Sequence, residues 1–291
     1  MGNQKSQTIH IIAGPTASGK SARAVELARG VNGVIINCDS KQIYNAMPIL
    51  TAQPSAEEQE DIPHRLYGHL HPNDVCSAGN WREMVEPVIE DVLEAGQTPI
   101  ICGGTGLYIK ALMEGFSPIP DIPQAVRDAT NKMHAKLGNP AFHGALKKRD
   151  PVMAQRLHEY HTARLIRAWE VIEATGKSLA EWQKVEPIKP PEHWNFEVEL
   201  IIPERETVRA RCHTRFVEMV EQGALEEVED FQKRIDNGEV RDDIPLARAH
   251  GFRFLRSFQR GEISKDEAIE KSVTETRQYA KRQVSWFRNQ L

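Results

Sequence analysis

The sequence predicts an α/β fold: a parallel β-sheet flanked by helices, with a mostly helical insertion. Three observations carry this. The apolar run Ile9-His10-Ile11-Ile12-Ala13 passes through a glycine-bounded turn into Ala22–Ala28, whose apolar residues recur at helical spacing. Two more continuous apolar runs, Val34-Ile35-Ile36 and Pro99-Ile100-Ile101-Cys102, read as strands buried on both faces, as parallel strands are. Between them and a late strand-like run lies a long stretch with helical patterning and no strand signal.

In chain order, the first turn is Gly14-Pro15-Thr16-Ala17-Ser18-Gly19-Lys20-Ser21. Glycines at both ends let the backbone curl so that N–H groups and a helix N-terminus converge on one anion. Lys20 adds a positive charge, and the Ser21 hydroxyl is of the type that ligates a Mg²⁺ bridging two phosphates. Strand, phosphate loop and helix in this order predict a P-loop NTPase-like sheet that binds a nucleotide or other polyphosphate, ATP being the commonest. Gly33–Asp39 follows as a second strand delivering an acidic residue to the ligand edge, and residues 40–72 are expected to be irregular. Trp81–Ala95 reads as a helix stopped by Gly96, and Thr98–Cys102 as a third strand entering Gly103-Gly104-Thr105-Gly106. Prolines 118, 120 and 123 open the insertion. Phe196–Ile202 returns to the sheet, followed by helices over Arg205–Gln222, Leu225–Ile235, Phe252–Gln259 and Lys265–Arg288. The expected division is a core of residues 1–117 and 192–291 with an insertion at 118–191.

Composition narrows the function classes. With 40% apolar and 27% charged residues in 291, the chain is an ordinary globular protein. No run approaches the apolar length of a membrane span and the start lacks a signal-peptide layout, so no membrane partner is expected. Four cysteines without a CxxC pair point to a reducing, cytoplasmic setting. The net charge of −4 argues against a general polyanion binder. Yet Arg241–Leu291 carries eleven Lys and Arg against seven Asp and Glu, +4 where the first 240 residues sum to −8. A basic segment on an acidic chain suggests a defined anionic partner.

The usual acidic companion of a phosphate loop is missing from the third strand, which ends in two glycines. Asp39 is the acid at the ligand edge, so the loop is expected to hold a diphosphate as a leaving group while Asp39 faces the other reactant. Asp39-Ser40-Lys41-Gln42-Ile43-Tyr44 joins a proton acceptor, an amide able to read a base edge and an aromatic able to stack.

With these residues in view, the chain resembles the tRNA dimethylallyltransferases (tRNA isopentenyltransferases). The matching motifs run in order: GPTASGKS at 14–21, DSKQIY at 39–44, Thr51-Ala52 with Pro54, GGTGLY at 103–108, ARLIRAWEV at 163–171, RCHTRFVEM at 211–219, GFR at 251–253 and TRQYAKRQVSWFR at 276–288. The resemblance implies a Mg²⁺-dependent enzyme that moves the dimethylallyl group of dimethylallyl diphosphate to N6 of the adenosine 3′ to the anticodon, releasing diphosphate. It implies that Asp39, Thr16 and Arg215 are catalytic, with Asp39 as the proton-transfer group, and that Gly14 through Ser21 hold the diphosphate. Ser21 is the expected metal ligand. The positions implied to contact the anticodon stem-loop are Asp39, Ser40, Lys41, Gln42, Thr105, Arg127, Ala163, Arg164, Leu165, Ile166, Arg167, Arg248, Gly251, Arg253, Arg277, Lys281 and Arg282. A monomer is expected. The chain departs from the family pattern at Leu50 and Gln53, where glycine and lysine are usual, and over residues 158–162.

Overall fold

A computed structural model describes residues 7–291; the first six residues of the expected core lie outside that range. Five strands form one sheet: β1 (Gln7–Ala13), β2 (Gly33–Asn37), β3 (His64–Arg65), β4 (Thr98–Gly103) and β5 (Trp194–Leu200). The spatial order is β3-β2-β4-β1-β5 and every pairing is parallel, with Ile36 and Ile11 both in register with Ile101, and Val198 beside Ile11. Parallel strands require crossovers, and helices supply them.

Helix α1 (Lys20–Val31) covers one face, its Ala24 and Ala28 packing on Ile12, Ile35, Ile100 and Cys102. Two short helices, α2 (Pro48–Thr51) and α3 (Ala56–Asp61), precede β3. Helix α4 (Ala78–Glu94) lies on the other face, where Trp81, Val85 and Ile89 meet Ile9, Ile11, Ile36 and Ile101, and α5 (Gly106–Glu114) joins them through Tyr108, Ile109 and Leu112. After β5 come α10 (Arg205–Glu221), α11 (Ala224–Asp236), a 3₁₀ turn at Leu246–Arg248, α12 (Phe252–Gln259) and α13 (Lys265–Gln290), whose apolar residues extend the same core. The intervening α6 (Gln124–Arg149), α7 (Pro151–Arg156), α8 (Thr162–Thr175) and α9 (Leu179–Trp182) have their own core around Phe142, Leu146, Met153, Leu165 and Ala168. By compactness the chain forms two units, one of Glu114–Lys189 and one of the remaining described residues.

Two expectations are corrected. Residues 40–72 are not irregular throughout. Ser55 caps α3 reciprocally with Glu58, Ser55 Oγ accepting from the Glu58 N–H at 3.2 Å and Glu58 Oε2 accepting from the Ser55 N–H at 2.8 Å. Strand β3 adds two residues beside Ile35 and Ile36. The second strand ends at Asn37, not Asp39. Asn37 Oδ1 accepts the Asp39 N–H at 2.9 Å and Nδ2 donates to the Leu66 carbonyl at 3.0 Å, turning the chain out of the sheet. The side chain of Leu165, expected among the RNA contacts, is fully buried within the second unit's core. Its helix turns every third or fourth residue inward, and Leu165 occupies one of those positions.

Candidate active site

The turn after β1 is built for an anion. At Gly14 a Cβ would stand 2.6 Å from the Ile201 carbonyl oxygen, so β5 closes over the turn only because the side chain is missing. Gly19 has φ +93° and Ala17 φ +59°, and this left-handed backbone folds the loop over the start of α1. Lys20 curls back to donate to the Pro15 carbonyl at 3.2 Å. Burial pulls its pKa below the usual lysine value, opposed by the thiols of Cys102 and Cys38 and by Asp39. Burial pushes the Cys102 thiol up to about 11, with Lys20 and Ser21 opposing.

Helix α10 holds the loop from outside the sheet. Arg211 Nη1 donates to the Ser18 carbonyl at 3.0 Å, and one turn later Arg215 Nη1 lies 3.4 Å from Thr16 Oγ1. Arg215 is half-buried, and desolvation lowers its pKa while Asp39 acts in the opposite direction. Asp39 is held by its own turn, Oδ1 accepting the Lys41 N–H at 2.9 Å. The Ser40 N–H donates to Thr105 Oγ1 at 3.0 Å, which fixes the loop after β2 to the one after β4. Gln42 donates to the carbonyls of Thr51 and Ala52 at 3.0 and 2.6 Å, and Lys41 Nζ donates to the Pro245 carbonyl. Burial moves Lys41 down to about 8, with Asp39 opposing and Arg248 assisting.

These groups surround a cavity of about 320 Å³. Thr16, Lys20, Ser21, Asp39 and Arg215 make its charged and polar wall. Leu50, Phe216 and Met219 give it an apolar side, and Arg248, His250, Tyr279 and Arg282 line it as well. The ring of His250 lies 4.5 Å from that of Tyr279, and its buried Nδ1 makes no hydrogen bond and stands 3.6 Å from Glu275 Oε2. Such a cavity can bind a polyphosphate at one wall, accept a proton at Asp39 and house a flat apolar or aromatic group between them.

Among the residues expected to touch RNA, Asp39, Ser40, Lys41, Gln42, Arg248 and Arg282 line this cavity, and Thr105 supports its wall from the next loop. Arg277 and Lys281 are not among its lining. Four residues apart on α13, they share a separate groove of about 530 Å³ with Arg205 and Arg209 of α10. Arg253 is exposed and paired with Glu275 at 2.9 Å. Gly251 is buried with φ +92°, and a Cβ there would meet the Phe216 ring at 2.6 Å, so its place is one of packing. In the second unit, Ala163 and Arg164 are exposed at the start of α8, Ile166 is half-buried, Arg167 pairs with Glu170 at 3.6 Å and Arg127 donates to the Ile122 carbonyl at 3.2 Å.

The sequence reading missed Arg211, Gln283 and Glu227. Arg211 precedes Arg215 by one helical turn, a spacing that marks a shared face. Gln283, on α13, accepts the Thr16 N–H at 2.8 Å and donates to the Gly104 carbonyl at 2.9 Å. The Glu227 carboxylate accepts the N–H groups of Ile49 and Leu50 at 2.9 and 2.8 Å, hanging α2 from α11, and burial raises its pKa.

The donor set suits Mg²⁺. Ser21 and Asp39 offer hard oxygens in one cavity, and no cluster of three His, Cys, Asp or Glu that could cage a metal exists among the described residues. Mg²⁺ is commonly held by one or two protein oxygens, with phosphates and waters completing its octahedron. No described helix is long and apolar enough to cross a membrane.

Residues 42–290 match the family model described as IPP transferase. The chain is 47% identical over 281 residues to the tRNA dimethylallyltransferase of Paramagnetospirillum magneticum, covering 97% of this chain and 88% of that protein. It is 44% identical over 283 residues to that of Nitrobacter hamburgensis, covering 97% and 87%. The crystal structure of the tRNA isopentenylpyrophosphate transferase of Staphylococcus epidermidis is similar over 98% of this chain and 91% of that one, with TM-score 0.65 and 33% identity. A eukaryotic dimethylallyltransferase captured acting on tRNA is similar over 97% and 70%, with TM-score 0.79 and 28% identity.

Proposed function

The chain belongs to the IPP transferase family, and on that premise we propose that it transfers the dimethylallyl group of dimethylallyl diphosphate to N6 of the adenosine 3′ to the anticodon of tRNA. The observation that carries the reading is one cavity lined by phosphate-loop residues, the Thr16 and Arg215 pair and the Asp39 carboxylate beside an apolar wall.

In this reading the bond from N6 to the allylic carbon forms as the carbon–oxygen bond to diphosphate breaks, and the bonding pair leaves with the diphosphate. Negative charge grows on the leaving group, where Lys20, Arg215, the loop N–H groups and the Thr16 hydroxyl lower its energy. The adenine amino group is a weak nucleophile because its lone pair is delocalised into the ring. Asp39 orients it and takes the proton that N6 gives up. Ser21 would hold Mg²⁺, which when bound supplies further charge neutralisation to the diphosphate. Leu50, Phe216 and Met219 suit the allyl group by burying it from water. An adenosine reaches such a cavity only by leaving its stack.

On the core, Arg248 and Arg282 would hold phosphates of the anticodon stem-loop. A monomer acting in the cytoplasm completes the proposal. The test is incubation of the protein with unmodified tRNA, dimethylallyl diphosphate and Mg²⁺, followed by nucleoside mass analysis. Adenosine carrying a dimethylallyl group on N6, at the position 3′ to the anticodon, is the expected product. Consumption of ATP with unchanged adenosine would overturn the reading in favour of phosphoryl transfer.

A further inference from the structure

Gln283 is a buried polar residue on a helix otherwise noted for its cations, with 6% of its surface exposed. Both ends of its amide are used. Oε1 accepts the Thr16 N–H at 2.8 Å, and Nε2 donates to the Gly104 carbonyl at 2.9 Å. It thereby ties the turn after β1 to the turn after β4, two adjacent strands. The fit is close: a Cβ at Gly104 would stand 2.4 Å from Gln283 Nε2, and one at Gly106 would stand 2.2 Å from the ring of Trp286, one turn further along α13. These two glycines are the seats on which α13 rests.

The bridge has a chemical consequence. In a phosphate loop the backbone N–H groups are expected to aim at the anion, but here the Thr16 N–H is already given to a neutral amide. With its backbone held this way, Thr16 keeps its hydroxyl 3.4 Å from Arg215 Nη1, on the wall of the cavity that also holds Asp39. A buried donor or acceptor that loses its partner costs desolvation energy, so the loop has good reason to keep this arrangement.

We propose that Gln283 is a positioning residue for the transfer step: it orients Thr16 toward Arg215 and the departing diphosphate, and acts on turnover and not on tRNA affinity. The proposal rests on the transferase reading above. An amide suits the place because it presents an acceptor and a donor with no charge. A carboxylate of the same shape keeps the acceptor for Thr16, loses the donor to Gly104 and brings negative charge toward a diphosphate. A carboxylic acid restores both bonds, its carbonyl accepting from Thr16 and its O–H donating to Gly104.

The test compares Gln283→Met and Gln283→Glu with wild type, once thermal melting and circular dichroism have shown each variant folded. Gln283→Met is expected to lower kcat by about tenfold to a hundredfold, while the Kd for tRNA stays within about threefold. Gln283→Glu is expected to be equally impaired at neutral pH and to recover toward wild type as pH falls, because burial favours the protonated introduced carboxyl. The turns at 14–19 and 104–106 bring no ionisable side chain to it; Tyr279 and Arg282 line the same cleft as Gln283, and the Arg282 cation, which favours the carboxylate, sets how far the pH must fall. A turnover ratio to wild type that is flat with pH, or a methionine variant with near wild-type kcat, would reduce Gln283 to packing. Hydrogen exchange at the Thr16 amide separates this from failure of the transferase reading. The amide is protected in wild type and exposed in Gln283→Met if the bridge holds, whatever reaction the protein performs.

Discussion

The guanidinium of Arg215 and the hydroxyl of Thr16 stand 3.4 Å apart, one on α10 and the other on the turn after β1. Burial around Arg215 disfavours its charge, yet a guanidinium does not lose its proton in a protein. A partly desolvated cation gains from a strong anionic partner, and an arriving diphosphate supplies one. Arg215→Ala is therefore expected to lower kcat by about a hundredfold to a thousandfold, the range for losing one preorganised donor to developing charge. Arg215→Lys is expected to recover only part of this, because an ammonium lacks the planar fork. Steady-state kinetics with dimethylallyl diphosphate checks both.

Asp39→Asn keeps the turn, since an amide oxygen still accepts the Lys41 N–H, but removes the proton acceptor. Turnover is expected to vanish while tRNA affinity changes little. Single-turnover transfer and a filter-binding Kd, measured on the same preparation, decide it. Loss of binding with normal transfer per bound complex would take Asp39 out of the chemistry.

Lys41 gives a pH dependence. Its folded pKa is about 8 against an ordinary 10.5, so it carries its charge below pH 8 and loses it above. Attraction to RNA phosphate should weaken as pH rises through 8, and a Lys41→Gln variant should be weaker than wild type at pH 7 but show no such step. Stability moves the other way. Between pH 8 and 10.5 the unfolded chain still binds a proton that the folded protein has released, so raising pH across this window stabilises the fold at this residue. Fluorescence titrations with an anticodon stem-loop and urea melts over the same pH range read the two effects.

Gly251 and Arg253 are neighbours in one motif with different expected phenotypes. Gly251→Ala places a methyl against Phe216 at a positive φ and is expected to destabilise the protein by about 2 kcal/mol or more, seen as a lowered Tm. Arg253→Ala removes an exposed ion pair to Glu275 and should leave the Tm nearly unchanged.

The strands that carry the site were legible because parallel strands buried on both faces are written as continuous apolar runs, as at Val34-Ile35-Ile36 and Ile100-Ile101. Strand β3 was not, for two residues, one of them a half-buried histidine, hold no pattern. The phosphate loop and Asp39 were readable as local chemistry beside a strand end. Gln283 and Glu227 were not, because each serves backbone groups far away in sequence, and only packing shows which polar side chain on a charged helix turns inward. Arg277 and Lys281 illustrate the converse. Their charge was evident, but their face of α13 is set by a rotation of about 100° per residue relative to Tyr279 and Arg282.

The bridge from Gln283 to Thr16 spans 267 positions along the chain. Closing so long a loop carries an entropy cost that nearer pairings can meet first. The sheet and its first crossovers can therefore exist before the catalytic geometry does, and a local loosening of α13 can silence the molecule while most of its fold survives. Activity should accordingly decay at lower denaturant concentrations than the sheet does, making this helix the place where the enzyme's working lifetime is decided.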